Sequence, residues 1–234
     1  MRRALLGLGA VLLLAGCGGS SSGGGTAQVA PTASVPAQGT GGSAGGAKNA
    51  NGCATPPEQH AKPQQFSAEP KVTIARTDYT ATIVTNCGTI VATLDGKDAP
   101  HTVNSFKFLA GKGYFDDTSC HRLTTSGIFV LQCGDPTGTG RGGPGYTIPD
   151  ENLKGATYPT GTLAMANTGA PHTGGSQFFF VYKDTQLPPQ YTPFGTVTKG
   201  LGVLLRVAAA GSNPPEDGSP VQPVVIESFT VTKS

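Results

Sequence analysis

Apolar and polar residues alternate over 79–84 (YTATIV) and again over 89–94 (TIVATL), with Asn86, Cys87 and Gly88 between them. A period of two broken by a Gly-containing turn is the pattern of a β-hairpin with one face toward a core. Over 101–112 the spacing changes to three and four, with Val103, Phe106 and Leu109 on one side, and predicts a short helix opened by Thr102 or Pro100. Short apolar runs at 120–123, 129–133, 162–165, 177–181, 195–197 and 224–231 read as further strands. Residues 200–210 read as a second helix, with Leu201, Leu204, Leu205 and Ala208 on one face. About eight short strands with two helices and Gly- and Pro-rich loops predict a mainly β fold, a closed antiparallel barrel.

None of that patterning reaches the opening third of the 234-residue chain. Residues 1–16 carry Arg2 and Arg3, an apolar stretch from Ala4 to Leu14, then Ala15 and Gly16 ahead of Cys17. A basic start, a short hydrophobic run and small residues before a cleavage point are the marks of a secretory signal peptide, and the run is too short for a permanent membrane span. The Leu14-Ala15-Gly16-Cys17 sequence resembles the bacterial lipobox. That resemblance implies that Cys17 becomes the lipid-bearing mature N-terminus, anchoring the protein to the cell membrane from the extracytoplasmic side. Several acyl chains anchor stably where one is marginal. From Gly18 to Gly52 the residues are mostly Gly, Ser, Ala, Thr and Pro, the composition of a flexible tether, and 54–70 is Pro- and Gln-rich. The expected layout is therefore a leader over 1–16, a lipidated Cys and linker over 17–70, and one folded domain over 71–234. A net charge of +2 with 13% charged residues, and no basic run after the start, gives nucleic acid no electrostatic footprint. No spare apolar helix face argues for a dimer, so a monomer is expected.

Without Cys17 four cysteines are left, an even number in a chain expected to be exported, which favours disulfides. Three pairings are open. Cys120 and Cys133 flank a strand–turn–strand unit, so a bond across that hairpin is available, and Cys53 would then reach Cys87. No C-x-x-C occurs, which weighs against a zinc site and against thioredoxin-like redox chemistry; neither metal nor cofactor is expected.

The chemistry concentrates in two blocks, TSCHRLTTSGIFVLQCGD at 118–135 and MANTGAPHTGGSQFFF at 165–180. In each, a few donors interrupt apolar strand: Arg122 and Gln132 in the first, Asn167 and Gln177 in the second. Beside them stand Phe129, Met165, Phe179 and Leu187. Carbonyl-binding donors next to apolar walls suit a neutral amide flanked by an apolar ring. The His121-Arg122 pair, Gln132 before Gly134-Asp135, Met165-Ala166-Asn167 and Gly174-Gly175-Ser176-Gln177-Phe178-Phe179 resemble the cyclophilins, the peptidyl-prolyl cis/trans isomerases, over roughly 72–232.

The resemblance implies an eight-stranded barrel capped by two helices, with its groove on the outer face and no cofactor. It implies that Arg122, Phe129 and Gln132 form the catalytic group. Met165, Ala166, Asn167, Gln177, Phe179, Leu187 and Tyr191 would bind substrate, Asn167 through its main chain. The substrates would be proline-containing, unfolded or partly folded exported polypeptides. An unremarkable surface Arg would instead pair with an acid such as Asp116. The chain departs from the family pattern in four places: two extra residues in 123–128, Gln186 where many members carry Trp, Tyr191 where His is usual, and Thr168 in place of Ala. The Gly138–Gly143 loop lacks the Lys-Ser/Thr ending of a phosphate loop. The competing reading is a peptide-binding or holdase module of the same fold with little turnover; a thiol oxidant is a third.

Overall fold

The structure is a computed structural model that describes residues 48–56, 61 and 63–234. The expected leader, Cys17 and the tether up to residue 47 lie outside the described residues. Eleven strands and two helices follow in the order β1 Asp78–Thr85, β2 Gly88–Asp95, α1 Pro100–Gly111, β3 Thr118–Ser119, β4 Arg122–Thr124, β5 Val130–Cys133, β6 Thr162–Met165, β7 Phe178–Val181, β8 Pro193–Lys199, α2 Leu201–Ala209, β9 Ser212–Asn213, β10 Asp217–Pro220 and β11 Val225–Lys233.

All pairings are antiparallel, in the order β3-β11-β1-β2-β8-β6-β7-β5-β4-β10-β9. Only Cys120 and His121 separate β3 from β4, so the two are halves of one bent strand. Its first half pairs with β11 and its second with β5. Through that bend the sheet returns on itself, and with β3 and β4 taken as one strand the ring holds the eight strands the alternation predicts. The remaining ribbon, β9 and β10, hangs from β4 and has no apolar alternation to announce it.

Pleating sorts the side chains. Leu123, Leu131, Phe180 and Leu163 are paired across four strands and point inward, each no more than 1% exposed. From α1, Phe106 enters this interior, its ring centroid 4.6 Å from Phe194, 5.3 Å from Phe115 and 5.4 Å from Phe178. No side chain of the helix caps its N-terminus. Instead Glu151, about fifty residues on, accepts the His101 and Thr102 amides at 3.0 and 2.8 Å, which answers orphan N–H groups and places an anion at the positive end of the helix. In α2 the buried face is Val203, Leu204 and Val207, and Leu205, expected inside, is 47% exposed.

Described residues ahead of the expected Lys71 boundary, within what reads as linker, are attached to the barrel. Cys53 is bonded to Cys87 in the β1–β2 turn, and Cys120 to Cys133 across the bent strand and β5. Ala54 and Asn86 exchange hydrogen bonds, Ala54 N to Asn86 O at 2.8 Å and Asn86 Nδ2 to Ala54 O at 3.0 Å. Phe66 packs edge-on to Phe108, with centroids 4.9 Å apart, and Glu69 meets His101 Nδ1 at 2.6 Å. A disulfide and one aromatic anchor thus hold a stretch whose polar composition predicts a free chain.

Candidate active site

Directly paired residues in an antiparallel sheet share a face. Arg122 on β4 is paired with Gln132 on β5, Gln132 with Phe179 on β7, and Phe179 with Ala164 on β6, so these four make one row across the outside of the barrel. At about 4.8 Å per strand, Phe179 lies roughly 10 Å from Arg122 at the Cα level. That interval suits a single prolyl residue between a long cation and a ring.

Around Phe179 an apolar cluster forms from Val130, Tyr158, Ala164 and Val181, with Ala166, Leu187 and Tyr191 packed on it. Tyr191 stands edge-on to Phe179 at 5.7 Å. Its backbone is held by Tyr158, whose hydroxyl donates to Tyr191 O at 2.9 Å and accepts from Tyr191 N at 3.1 Å. Two expected pocket residues are elsewhere. Met165 is paired with Phe178 and buried in the barrel interior, because the period of two that sends Ala164 and Ala166 outward sends Met165 inward. Phe129 packs against the interior cluster beside Tyr182, 6.1 Å between centroids, and Lys183 Nζ lies 4.2 Å from its ring centre. Val130, next to it, takes the groove position; the parity shared with Gln132 is the signal that finds it.

The polar half of the site is a directed chain. Arg122 donates through Nε and Nη2 to the two carboxylate oxygens of Asp217, at 2.7 and 2.8 Å, and through Nη1 to Gln132 Oε1 at 3.2 Å. Gln132 Nε2 donates to Gln177 Oε1 at 2.9 Å, and Gln177 Nε2 to Gly142 O at 2.9 Å. Arginine only donates, so Gln132 must turn its oxygen to Arg122 and its nitrogen to Gln177, which fixes the second amide the same way. Each amide keeps one N–H to offer a ligand. Beyond Gly142, the buried Asp135 carboxylate accepts from Thr137 N at 2.7 Å, Thr139 N at 3.1 Å and Gly142 N at 3.1 Å. Burial works to raise this carboxyl's pKa, but the bonds from Thr137 and Gly142 prevail and lower it. The amide donors of the glycine-rich loop therefore face the protein's own carboxylate rather than a phosphate.

Asp217 had no signal in the sequence, being 95 positions from Arg122. It arrives because Asp217 pairs with Thr124 and Gly218 with Leu123, while Thr125 N donates to Glu216 O at 2.8 Å. The lengthened 123–128 segment is thus partly bound to the ribbon that carries the acid. Hydrogen bonding to Asp217 raises the Arg122 pKa, and the reciprocal bond lowers that of Asp217, so both stay charged. Asp116, the acid weighed from sequence, instead accepts Phe229 N at 3.2 Å. Asn167 Nδ2 donates to Gln190 O at 2.7 Å and Oδ1 accepts Gly169 N at 3.0 Å. Among the described residues its own main-chain N–H and C=O have no partner, so an extended peptide can pair with them.

His121, on the bend beside Arg122, buries both ring nitrogens without a partner among the described residues. Burial, and then the Arg122 charge, lower its pKa against an opposing pull from Asp135. The unfolded chain takes up this proton near pH 6.5, so below that pH the unfolded state binds more protons and stability falls on acidification. The expected result is a thermal midpoint that drops between pH 7.5 and 5.5, with a flatter slope in His121→Gln; equal slopes would show that this imidazole does not carry the effect.

The family described as cyclophilin type peptidyl-prolyl cis-trans isomerase/CLD matches residues 80–231. The chain is 46% identical over 194 residues to the probable peptidyl-prolyl cis-trans isomerase B of Mycobacterium leprae, covering 76% of this chain and 65% of that protein. It is 46% identical over 187 residues to the Mycobacterium tuberculosis protein of the same description, covering 74% and 60%. It thus spans less than two thirds of the length of these relatives. The crystal structure of a Cryptosporidium parvum cyclophilin type isomerase superposes with a TM-score of 0.60 at 30% identity, covering 67% of this chain and 99% of that one. A second structure of that protein, obtained in the presence of the dipeptide Ala-Pro, gives 0.59 at 30% identity, covering 66% and 99%. With the outer-face row of Arg122, Gln132 and Phe179 in place, this chain belongs to the family of cyclophilin-type peptidyl-prolyl cis-trans isomerases.

Proposed function

We propose that the groove binds an X-Pro segment and speeds rotation about its imide bond. The uncatalysed barrier is about 18–20 kcal/mol because amide resonance must break as the C–N bond twists. Twisting localises a lone pair on the prolyl nitrogen. A cation already fixed toward that nitrogen interacts more strongly with the twisted imide than with the planar one, which is the condition for raising the rate rather than only the affinity. Lowering the barrier by about 6–7 kcal/mol is worth roughly 10⁵-fold. Arg122 is that cation in this reading. Gln132 and Gln177 offer N–H groups to substrate carbonyls, Asn167 pairs with the peptide backbone, and Val130, Phe179, Leu187 and Tyr191 hold the ring. No proton changes hands, so the depressed basicity of His121 is no obstacle.

The observation that carries this reading is the directed hydrogen-bond chain ending at Arg122 beside the Phe179 cluster. The proposed substrates are unfolded or partly folded exported proteins, with the domain tethered to the membrane through a lipid on Cys17. The pattern of residues 1–17 and the two bonded cysteine pairs support that setting. One observation favours the competing reading of a binding module. The Asp217 carboxylate partly neutralises the Arg122 charge and so weakens its pull on the nitrogen.

Cell fractionation followed by a prolyl-peptide isomerisation assay tests both parts. Activity is expected in the membrane fraction, and Cys17→Ser is expected to move it to the soluble fraction with the same turnover per molecule. Peptide binding without faster isomerisation would favour the binding module, and unchanged partition of Cys17→Ser would remove the lipid anchor.

A further inference from the structure

A groove of about 930 Å³ is lined by Gln132 and Gln177, by Asn167, Thr168 and Thr173, and by the glycine-rich loop. Gln65 is also part of its wall. Gln65 lies outside the 80–231 span that matches the family.

Several contacts hold this segment in place. Phe66 N donates to Pro144 O at 2.8 Å, and Gln65 Nε2 to Gly143 O at 2.8 Å. Gln64 Nε2 donates to Lys112 O at 3.2 Å. The Phe66 ring sits against Phe108 and 6.5 Å from Tyr114. The loop is shaped to receive it. Gly145 has φ +91, and a Cβ there would stand 2.7 Å from Phe66 O and 2.9 Å from Gln65 Oε1, so only glycine allows this approach. Gln65 Oε1 has no donor among the described residues, whereas the free functions of Gln132 and Gln177 are N–H groups.

Building on the isomerase reading of the groove, we propose that the strap of Gln64, Gln65 and Phe66 is part of the substrate site. It forms the outer wall that engages the residues flanking the proline on one side, with Gln65 Oε1 accepting a main-chain N–H of the extended peptide. The ligand is therefore a longer peptide than the prolyl dipeptide alone. The strap stands on one stretch of the groove wall and so rewards length on one flank of the proline only.

The test compares the full-length protein with Gln65→Ala and Phe66→Ala, using an Ala-Pro core peptide and two versions lengthened by three alanines on either side. For the unmodified protein, kcat/KM is expected to rise about 3- to 10-fold on one lengthened side, the worth of one neutral hydrogen bond and its contacts, through KM rather than kcat. In both variants the ratio of long to short peptide is expected to fall toward one. A ratio that survives in the variants, or equal response to both flanks, overturns the strap. Peptide affinity measured on the same samples separates this from failure of the isomerase reading: with no turnover at all, the same ratio is expected in Kd if the strap is a subsite, and its absence there rejects the strap as well.

Discussion

Arg122→Ala is expected to lower kcat/KM for a prolyl peptide by about 10²–10³-fold, the usual effect of removing one fixed donor aimed at developing charge. The loss should fall on kcat, since the guanidinium is proposed to act on the twisted imide and the ring cluster still binds the planar one. Arg122→Lys should recover little, because one ammonium cannot reach both Asp217 oxygens and Gln132 Oε1 from a single position. Asp217→Asn should fall between, keeping the cation while loosening its two-point hold. Arg122 is 37% exposed, so the variant should fold, and an unchanged thermal midpoint would confirm that the loss is catalytic. Activity within threefold of the parent would remove Arg122 from the mechanism.

Phe106→Ala is expected to cost about 3–5 kcal/mol of stability, read from urea unfolding with both disulfides intact. The ring is fully buried, with the centroids of Phe115, Phe178, Phe194 and Phe229 between 4.6 and 6.0 Å away. Those rings come from the segment after α1, from β7, β8 and β11, elements that already pair around the barrel, so they cannot all move into the space. A loss below about 1.5 kcal/mol would mean that the interior collapses onto the gap, contrary to a close-packed core.

The eight barrel strands were legible because each shows an inward face, as Ala81, Ile83, Ala92 and Leu94 do in the first hairpin. β9 and β10 were not. Their segment, SNPPEDGSP at 212–220, is polar and Pro-rich, and it pairs with β4 through backbone and an ion pair rather than through buried side chains. For the same reason Asp217 could not be matched to Arg122. In α2, apolar residues at 201, 203, 204, 205, 207 and 208 cover more than one face, so periodicity alone could not choose Val203 and Val207 over Leu205. Gln132, Gln177, Phe179, Leu187 and Tyr191 lie together on the outer face, whereas the pleat turns Met165 inward and Phe129 packs on the interior cluster, placements that the resemblance does not state. The strap at 64–66 reads as linker because it is polar, with Phe66 alone giving it a hold on the body.

The bond between Cys53 and Cys87 has a mechanical consequence. Among the described residues, tension applied to the N-terminal end of the chain meets Cys53 as its first covalent cross-link and crosses the sulfur bridge into the β1–β2 turn. Gln65 and Phe66 lie between the two bonded cysteines in sequence and so stand off that force path. A pull on the chain ahead of Cys53 is therefore borne by the barrel wall, and the rim of the groove stays unloaded.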